Sequence, residues 1–577
     1  MKRWGVLGLA VLAAACGGEG DQDVSAQAHL CPGVVAGEVP GAEPSQSVLP
    51  GQEPASDGRQ RFLIRYRDGE RVSASRVSAL GGRVLRVFRY TPAMAASLTE
   101  EERATLAEDP SVEFIEPDSQ RRASGLTLGE PQPLRTLVQE GSAGEYTQGL
   151  HMVEAPWVWD GNRDGKLDSD KPHGEGIKVC VLDSGIDLDH PELRDAIVGR
   201  HDFVDGDDLP WDRSKEGWGE GHGTHVAGII AAQLGSGARN VSPDMDRAGV
   251  AGVAPGAGLL IARVLNTQGV AWSSDILEAL EWCQLEGAKI ASLSLGGSND
   301  GRLERETFQA VADKGMLVVA AAGNSGGPMD FPAAYPSVLA VGAVDQSMRR
   351  APFSARGANL SLMAPGVEVL STFPQQQGTM SQVELGDIPY ASHPIALTPA
   401  GKLVGRLVDC GEGDSLGSCT LSSCDGFVAY VRRNYRVPLQ LQISNVMRQG
   451  AQAVIVRDMP SDDELADLSM GKKGTWAPAA LVSHETGEAM RRMMGFTAHV
   501  TLHQTDYARA SGTSMAAPHV SGVAAIVWSK RPTLTAAQVR SLLESTAKDL
   551  GAPGKDRESG HGLVQAQAAI DALAALP

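Results

Sequence analysis

An α/β protein with a mainly parallel sheet is what this sequence predicts, and three observations predict it. Strand-like and helix-like patterns alternate as strand 259–265, helix 274–286, strand 290–295, helix 302–314 and strand 316–322. That order needs crossover helices joining parallel strands. The run Ile177-Lys178-Val179-Cys180-Val181-Leu182 is short, β-branched and nearly all apolar, as a strand buried on both faces must be. Finally, 577 residues with 42% hydrophobic and 21% charged side chains describe folded protein in excess of one core, so further domains are expected.

Taken in order, the chain opens on Met1-Lys2-Arg3 and the apolar run 4–15, the charged and hydrophobic parts of an export signal. The run is too short to cross a bilayer. Ala13-Ala14-Ala15-Cys16-Gly17 resembles a bacterial lipoprotein cleavage site, with Cys16 as the residue to be lipidated. Residues 17–57 read as a flexible tether rich in Gly, Pro, Ser, Gln and Glu. Residues 58–123 form a small α+β unit: strand 61–66, a turn at Gly81-Gly82, strand 84–88, helix 95–107 and a last strand at 112–118. By pattern alone it is any ferredoxin-like interaction module. Periodicity is lost again over 124–145, a second linker, and Arg121-Arg122 marks the neighbourhood of a processing site.

The formal net charge of −19 argues against a nucleic-acid partner, which needs a basic face. A monomer is expected. Seven cysteines are too few for a disulfide scaffold in a chain of this length. Cys180 and Cys283, in apolar strand-like and helix-like settings, are expected to be buried free thiols. Cys410, Cys419 and Cys424 allow one bridge with three pairings open, and zinc is disfavoured because no histidines are suitably spaced. Asp160, Asn162, Asp164 and Asp168 bear oxygens at alternating positions around Gly165, the spacing of a calcium loop. Lys171 stands where that loop wants a bidentate glutamate, so a solvated acidic turn is the competing reading.

Four stretches carry candidate chemistry. Asp183 ends a buried parallel strand, where α/β folds place reactive groups, although a lone acid there also serves as a helix cap. His222-Gly223-Thr224-His225 opens an apolar helix, and His222 suits a general base better than a metal site that lacks a third ligand. Asn324, after Ala321-Ala322-Gly323, has an amide able to donate to an oxyanion or simply to shape a turn. Ser514 stands in Ser511-Gly512-Thr513-Ser514-Met515-Ala516-Ala517-Pro518, at a helix start with Gly512 before it and Pro518 expected in the first turn. Free N–H groups there favour the negative charge that grows when a serine oxygen attacks a carbonyl, and the plainer alternative is an ordinary N-cap.

With Asp183-Ser184-Gly185, His222-Gly223-Thr224-His225, Asn324 and Gly512-Thr513-Ser514-Met515-Ala516 in that order, the sequence resembles the subtilisin-like serine proteases over 146–376 and 507–577. The resemblance implies a three-layer α/β sandwich and an endopeptidase without a cofactor for its chemistry. In it Ser514 is the nucleophile, His222 base then acid, Asp183 the orienting group, and Asn324 an oxyanion donor beside the Ser514 N–H. Substrate would lie along Ser294, Leu295 and Gly296 and along Ala322 and Gly323, with Asp330 near the floor of the primary pocket, favouring Lys or Arg. The unit at 58–123 is then an inhibitory propeptide removed by self-processing. Glu192 matches a family position that often ligates calcium, although loop 235–249, which should complete that site, is not recognisable. The insertion at 377–506, with strand-like 401–404, a helix-to-strand passage at 450–456 and strand-like 477–483, resembles a protease-associated domain that guides substrates. An inactive peptide-binding protein and an acyl-transfer enzyme are the alternatives to hydrolysis at the same site.

Overall fold

Six short, mostly apolar strands and a more polar edge strand build a fully parallel sheet in the computed structural model. From one edge to the other they are Leu360–Pro365, Leu339–Val344, Leu317–Ala321, Ile290–Leu293, Lys178–Asp183, Gly258–Arg263 and Ile197–Asp202. The structure describes residues 58–123, 145–162, 164–212, 221–235, 249–395, 398–420, 426–459, 470 and 475–574. The signal segment with Cys16, the tether 17–57, the stretch 124–144 and Cys424 lie outside the described residues.

Alternation along one strand creates the three layers. Val179 and Val181 point into a core shared with Val226 and Ile230 of helix His222–Ala231 and with Val520 and Val523 of helix Thr513–Lys530. Cys180 and Leu182 point the other way, into a core shared with helices Ser273–Leu285 and Arg302–Asp313. Period-two side-chain placement therefore buries both faces of the sheet's inner strands, which is why they carry so few polar residues. Strand ends on the carboxyl side are left as the place for chemistry.

Cys180 and Cys283 are not free thiols. They are joined in a disulfide, with Cα atoms 5.8 Å apart and 103 residues between them in sequence. The apolar setting that suggested inert thiols is a strand facing a helix across the core, and only the fold shows that the two sulfurs meet. Cys410 pairs with Cys419. Replacing Cys180 and Cys283 together by Ala should lower unfolding free energy by about 2–5 kcal/mol, because the bridge closes a long loop in the unfolded chain. Denaturant unfolding measures it, and an unchanged midpoint with unchanged slope would contradict it.

The unit beginning at residue 58 has a four-stranded antiparallel sheet ordered Arg83–Val87, Ala93–Leu98, Gln60–Tyr66 and Val112–Pro117. The helix expected over 95–107 is corrected. Ala93–Leu98 is a strand, paired on both sides, and the helix is only Glu100–Ala107. Alanine's helix propensity misled the reading, while Thr99 caps the true start in a reciprocal box with Glu102. A short helix, Ala74–Ala79, was not anticipated. This unit docks by capping helices of the parallel-sheet body. Asp118 accepts from Ser274 N and Glu116 from the N–H groups of Arg302 and Leu303, at 3.0 to 3.1 Å. Negative charge at those helix starts is favoured by the helix dipole.

The segment between residues 372 and 507 carries its own sheet of eight strands, four of them parallel neighbours: Gly401–Asp409, Phe427–Arg432, Ala451–Arg457 and Ala479–Val482. Helices Leu439–Arg448 and His484–Arg491 accompany them. The chain leaves and re-enters the parallel-sheet body through one antiparallel ribbon, Val369–Thr372 against Tyr507–Ala510.

Candidate active site

Asp183 is the last residue of the inner strand Lys178–Asp183, which lies between Ile290–Leu293 and Gly258–Arg263, and His222 is the first of its helix. Their side chains meet at 2.6 Å, His222 Nδ1 to Asp183 Oδ1, with both groups buried. The approach is close enough that a Cβ on Gly223 would lie 2.1 Å from the Gly185 carbonyl, so glycine is required there. The Asp183 Oδ1 also accepts from Ser184 N at 2.7 Å. A carboxylate bonded to Nδ1–H fixes the tautomer and leaves the Nε2 lone pair to receive a proton. That Nε2 is buried and has no hydrogen-bond partner among the described residues.

Asp212, which the sequence reading missed, anchors this arrangement. It accepts from Gly221 N at 3.0 Å and from Thr224 N at 2.9 Å, and from the hydroxyls of Ser184 and Thr224 at 2.9 and 2.7 Å. The Ser184 hydroxyl in turn accepts from Gly223 N at 2.9 Å. One buried carboxylate thus ties the start of the histidine helix to the residue after Asp183. Burial pushes its carboxyl above the ordinary range, opposed by these donors. No local motif distinguishes it, since it stands in an irregular segment ten residues before His222.

His225 takes no part in this pair. Its Nε2 lies 3.1 Å from the carbonyls of both Val369 and Ala508, so it stitches the two strands of the ribbon. Burial drives it down to about 3, and it stays neutral.

Ser514 is the second residue of helix Thr513–Lys530, preceded by Gly512 at φ 155°. Pro518 is not in the first turn but inside the helix. Lacking an N–H, it cannot bond the carbonyl four residues back, which is that of Ser514. Ser294 supplies the replacement. Its hydroxyl donates to Ser514 O at 2.8 Å, while Ser514 Oγ donates to Ser294 O at 3.2 Å. This reciprocal pair sets the serine against the strand end at 294.

Asn324 is oriented without ambiguity. Its Oδ1 accepts from both the N–H and the hydroxyl of Thr513, at 2.9 and 2.8 Å, so its NH₂ is turned outward as a donor. Gly323 N donates to the same Thr513 hydroxyl at 3.1 Å. Thr513 escaped the sequence reading because it serves as a bracket and has no chemistry of its own. Asp330 stands between the expected walls: a Cβ on Gly323 would lie 2.5 Å from its Oδ2, and one on Gly296 would lie 2.8 Å from its Cβ. Burial raises its carboxyl, partly offset by Arg121.

The residues expected to hold calcium turn their oxygens inward. Asp160 accepts from Asp164 N and Gly165 N, Asn162 from Asp164 N, Asp164 from Lys166 N and Asp168 from Gly161 N, each at 3.0 Å. Tyr146 OH also donates to Asp160. Among the described residues no three His, Cys, Asp or Glu side chains converge as a metal cluster. Glu192 is buried and raised to about 8, accepting from Tyr507 OH at 2.9 Å and Val250 N at 3.1 Å. Residues 236–248 of the loop expected beside it lie outside the described residues.

Burial alone would lower the His222 imidazole, but the Asp183 charge and bond outweigh it and raise it above the usual value of about 6.5. A base must be neutral to accept a proton. The acid limb of kcat/KM in the mature protein should therefore fall as pH drops through a midpoint above 6.5. Asp183→Asn should move that midpoint down, and a pH–rate profile with an unmoved limb would contradict the pairing.

A three-layer α/β body with this aspartate–histidine pair and helix-start serine is that of a serine endopeptidase, an enzyme acting on protein or peptide substrates. Residues 174–386 and 463–562 match the Subtilase family (Peptidase_S8), and the chain belongs to it. It is 35% identical to subtilisin E of Bacillus subtilis (strain 168) over 307 residues, 52% of this chain and 68% of that protein. To subtilisin Savinase of Lederbergia lenta it is 44% identical over 202 residues, 35% of this chain and 68% of that protein. The crystal structure of the psychrophilic subtilisin-like protease Apa1 from Pseudoalteromonas sp. AS-11 superposes with a TM-score of 0.56 at 29% identity, over 75% of this chain and 98% of that one. Fervidolysin from Fervidobacterium pennivorans shares the fold at a TM-score of 0.57 and 23% identity, over 89% of this chain and 61% of that one.

Proposed function

We propose that this endopeptidase cuts peptide bonds through an acyl-enzyme on Ser514, with His222 as base then acid, Asp183 holding the imidazole, and Asn324 and the Ser514 N–H stabilising the oxyanion. One observation carries the reading. Among the described residues the Asp183–His222 bond leaves Nε2 without a partner, and the helix of His222 and the helix of Ser514 pack in one core. For reaction the Ser514 hydroxyl turns from Ser294 O toward that nitrogen, which takes its proton as the oxygen attacks. The released amine then takes the same proton, and water repeats the cycle on the ester. A fluorophosphonate probe should label mature protein at Ser514, and absence of labelling would discard the reading.

The unit at 58–123 is proposed as an inhibitory propeptide, removed by self-processing within 124–145. Its strand Gln120–Ala123 lies antiparallel between Leu295–Gly296 and Val270–Trp272, where an extended substrate would pair by strand addition. N-terminal sequencing of the mature form tests this: a mature chain beginning before residue 120 is incompatible with it. Export, with Cys16 as a lipid-bearing residue, is proposed from residues 1–16 and fits the Cys180–Cys283 bridge, which needs an oxidising compartment. Metabolic labelling with a fatty acid decides the lipid. Among the described residues no helix is long and apolar enough to cross a membrane.

Asp330 is proposed to favour Lys or Arg just before the cleaved bond, and 377–506 to guide substrates as a protease-associated-like module. Peptide-library profiling of wild type and Asp330→Ser, and of enzyme lacking the module, tests the two; profiles unaltered by these changes discard them. Structural calcium is proposed only at loop 160–168, where the ion would take over oxygens that now cap loop amides. An EDTA-sensitive Tm that Asp164→Ala abolishes is the test, and a Tm indifferent to calcium discards it.

A further inference from the structure

In the strand Gln120–Ala123, Arg122 pairs with Gly296 and Ala123 with Leu295, while Gln120, Arg121 and Arg122 face Trp272, Ala271 and Val270 on the other side. Side chains alternate along it, so Arg122 is exposed and Arg121 is fully buried. The Arg121 guanidinium meets Glu304 as a two-point pair. Its Nε donates to Oε1 at 3.1 Å, and its Nη2 donates to Oε2 and, at 2.8 Å, to the Asn299 carbonyl. The Tyr335 hydroxyl donates to Glu304 Oε2 at 2.9 Å and the Ser273 hydroxyl to Oε1 at 3.5 Å. The arginine stem passes beside Gly297, whose added Cβ would lie 3.5 Å from Arg121 Cδ. Glu304 itself is 1% exposed and stands in the first turn of its helix, where an acid is favoured.

This pocket is built for a guanidinium. A buried carboxylate left without a cation is costly, and the planar fork of arginine meets it at two points where lysine meets it at one. Once the strand departs, an arginine of a bound substrate restores the pair. The register says which residue brings it. Ser294, bonded both ways to Ser514, precedes Leu295, so a peptide held in this register sets opposite Ser294 the third residue after the arginine.

We infer that Glu304 forms an arginine-selecting subsite for the fourth residue before the cleaved bond. The inference rests on Ser514 as nucleophile and adds the chemistry that recognises substrate at a distance from it. Substrates would then carry an arginine three residues ahead of the one whose carbonyl is attacked.

The test uses mature enzyme and quenched fluorescent peptides identical except for Arg, Lys, citrulline or Leu at that fourth position. The expected kcat/KM for Arg exceeds that for Leu and for the uncharged citrulline by about 10- to 100-fold, with Lys between. In Glu304→Leu the order should reverse in favour of Leu, and in Glu304→Gln it should flatten, each variant being scored per fluorophosphonate-labelled molecule. Equal cleavage of Arg and Leu peptides by wild type overturns the inference, as does an arginine preference that survives in Glu304→Leu at the same bond. Labelled wild type that cuts without preference sinks the subsite alone. Wild type that neither labels nor cuts sinks the nucleophile assignment and the subsite with it. The wild-type peptide series decides by itself should either variant fail to fold.

Discussion

Ser514→Ala should lower turnover by about 10⁶-fold, the magnitude known for loss of the nucleophile in subtilisin itself. The substitution removes one oxygen, which donates to the Ser294 carbonyl at 3.2 Å. Folding should survive, because the opposite bond of that pair, from the Ser294 hydroxyl to Ser514 O, is untouched. The full-length variant should therefore be recovered folded but unprocessed, with residues 58–123 still attached. Gel mobility, N-terminal sequencing and peptide hydrolysis read the result. A processed, active Ser514→Ala protein would place the nucleophile elsewhere.

Asn324→Leu should cost about 10²–10³ in kcat, again a magnitude measured at an oxyanion donor of subtilisin. KM should change little, because the amide meets charge that exists only in the transition state. The structure separates this from a packing defect. The Asn324 Oδ1 is bonded to Thr513, so its loss also loosens the start of the serine helix. Asn324→Asp keeps an acceptor for Thr513 while removing the donor. If the donor matters, Asn324→Asp should be as slow as Asn324→Leu while melting closer to wild type. Recovery of activity in the aspartate variant would contradict the oxyanion role.

The residues of the candidate site are legible in the sequence because they stand at element ends that the sequence marks. Asp183 closes an apolar strand, His222 follows a glycine, and Ser514 follows Gly512 at the mouth of a small-residue helix. The parallel sheet was legible for a related reason: strands buried on both faces leave unbroken apolar runs. What stayed hidden are contacts between residues remote in sequence. Asp212 lies in an irregular segment, Glu304 reads as one acid on a charged amphipathic helix, and Cys180 meets Cys283 only across the folded core. Ala93–Leu98 was misread because alanine-rich sequence suits a helix, whereas two neighbouring strands supplied the partners that made it a strand. Pro518 was placed one turn too early because a first-turn proline is the common case. Its real effect is to release a carbonyl that Ser294 then holds.

The ribbon of Val369–Thr372 and Tyr507–Ala510 changes what an insertion costs this enzyme. Its two strands are held side by side by His225, while Ser371 and Thr372 bond the carbonyls of His225 and Thr224 at 2.8 Å. To the catalytic body the whole segment between them is therefore one oversized hairpin turn. Closing a loop becomes harder only with the logarithm of its length, and a loop that folds on its own holds its ends together. The ribbon works as a socket: it closes the segment's two ends on each other, so that the length of chain between them does not set the places of His222, Asp183 and Ser514.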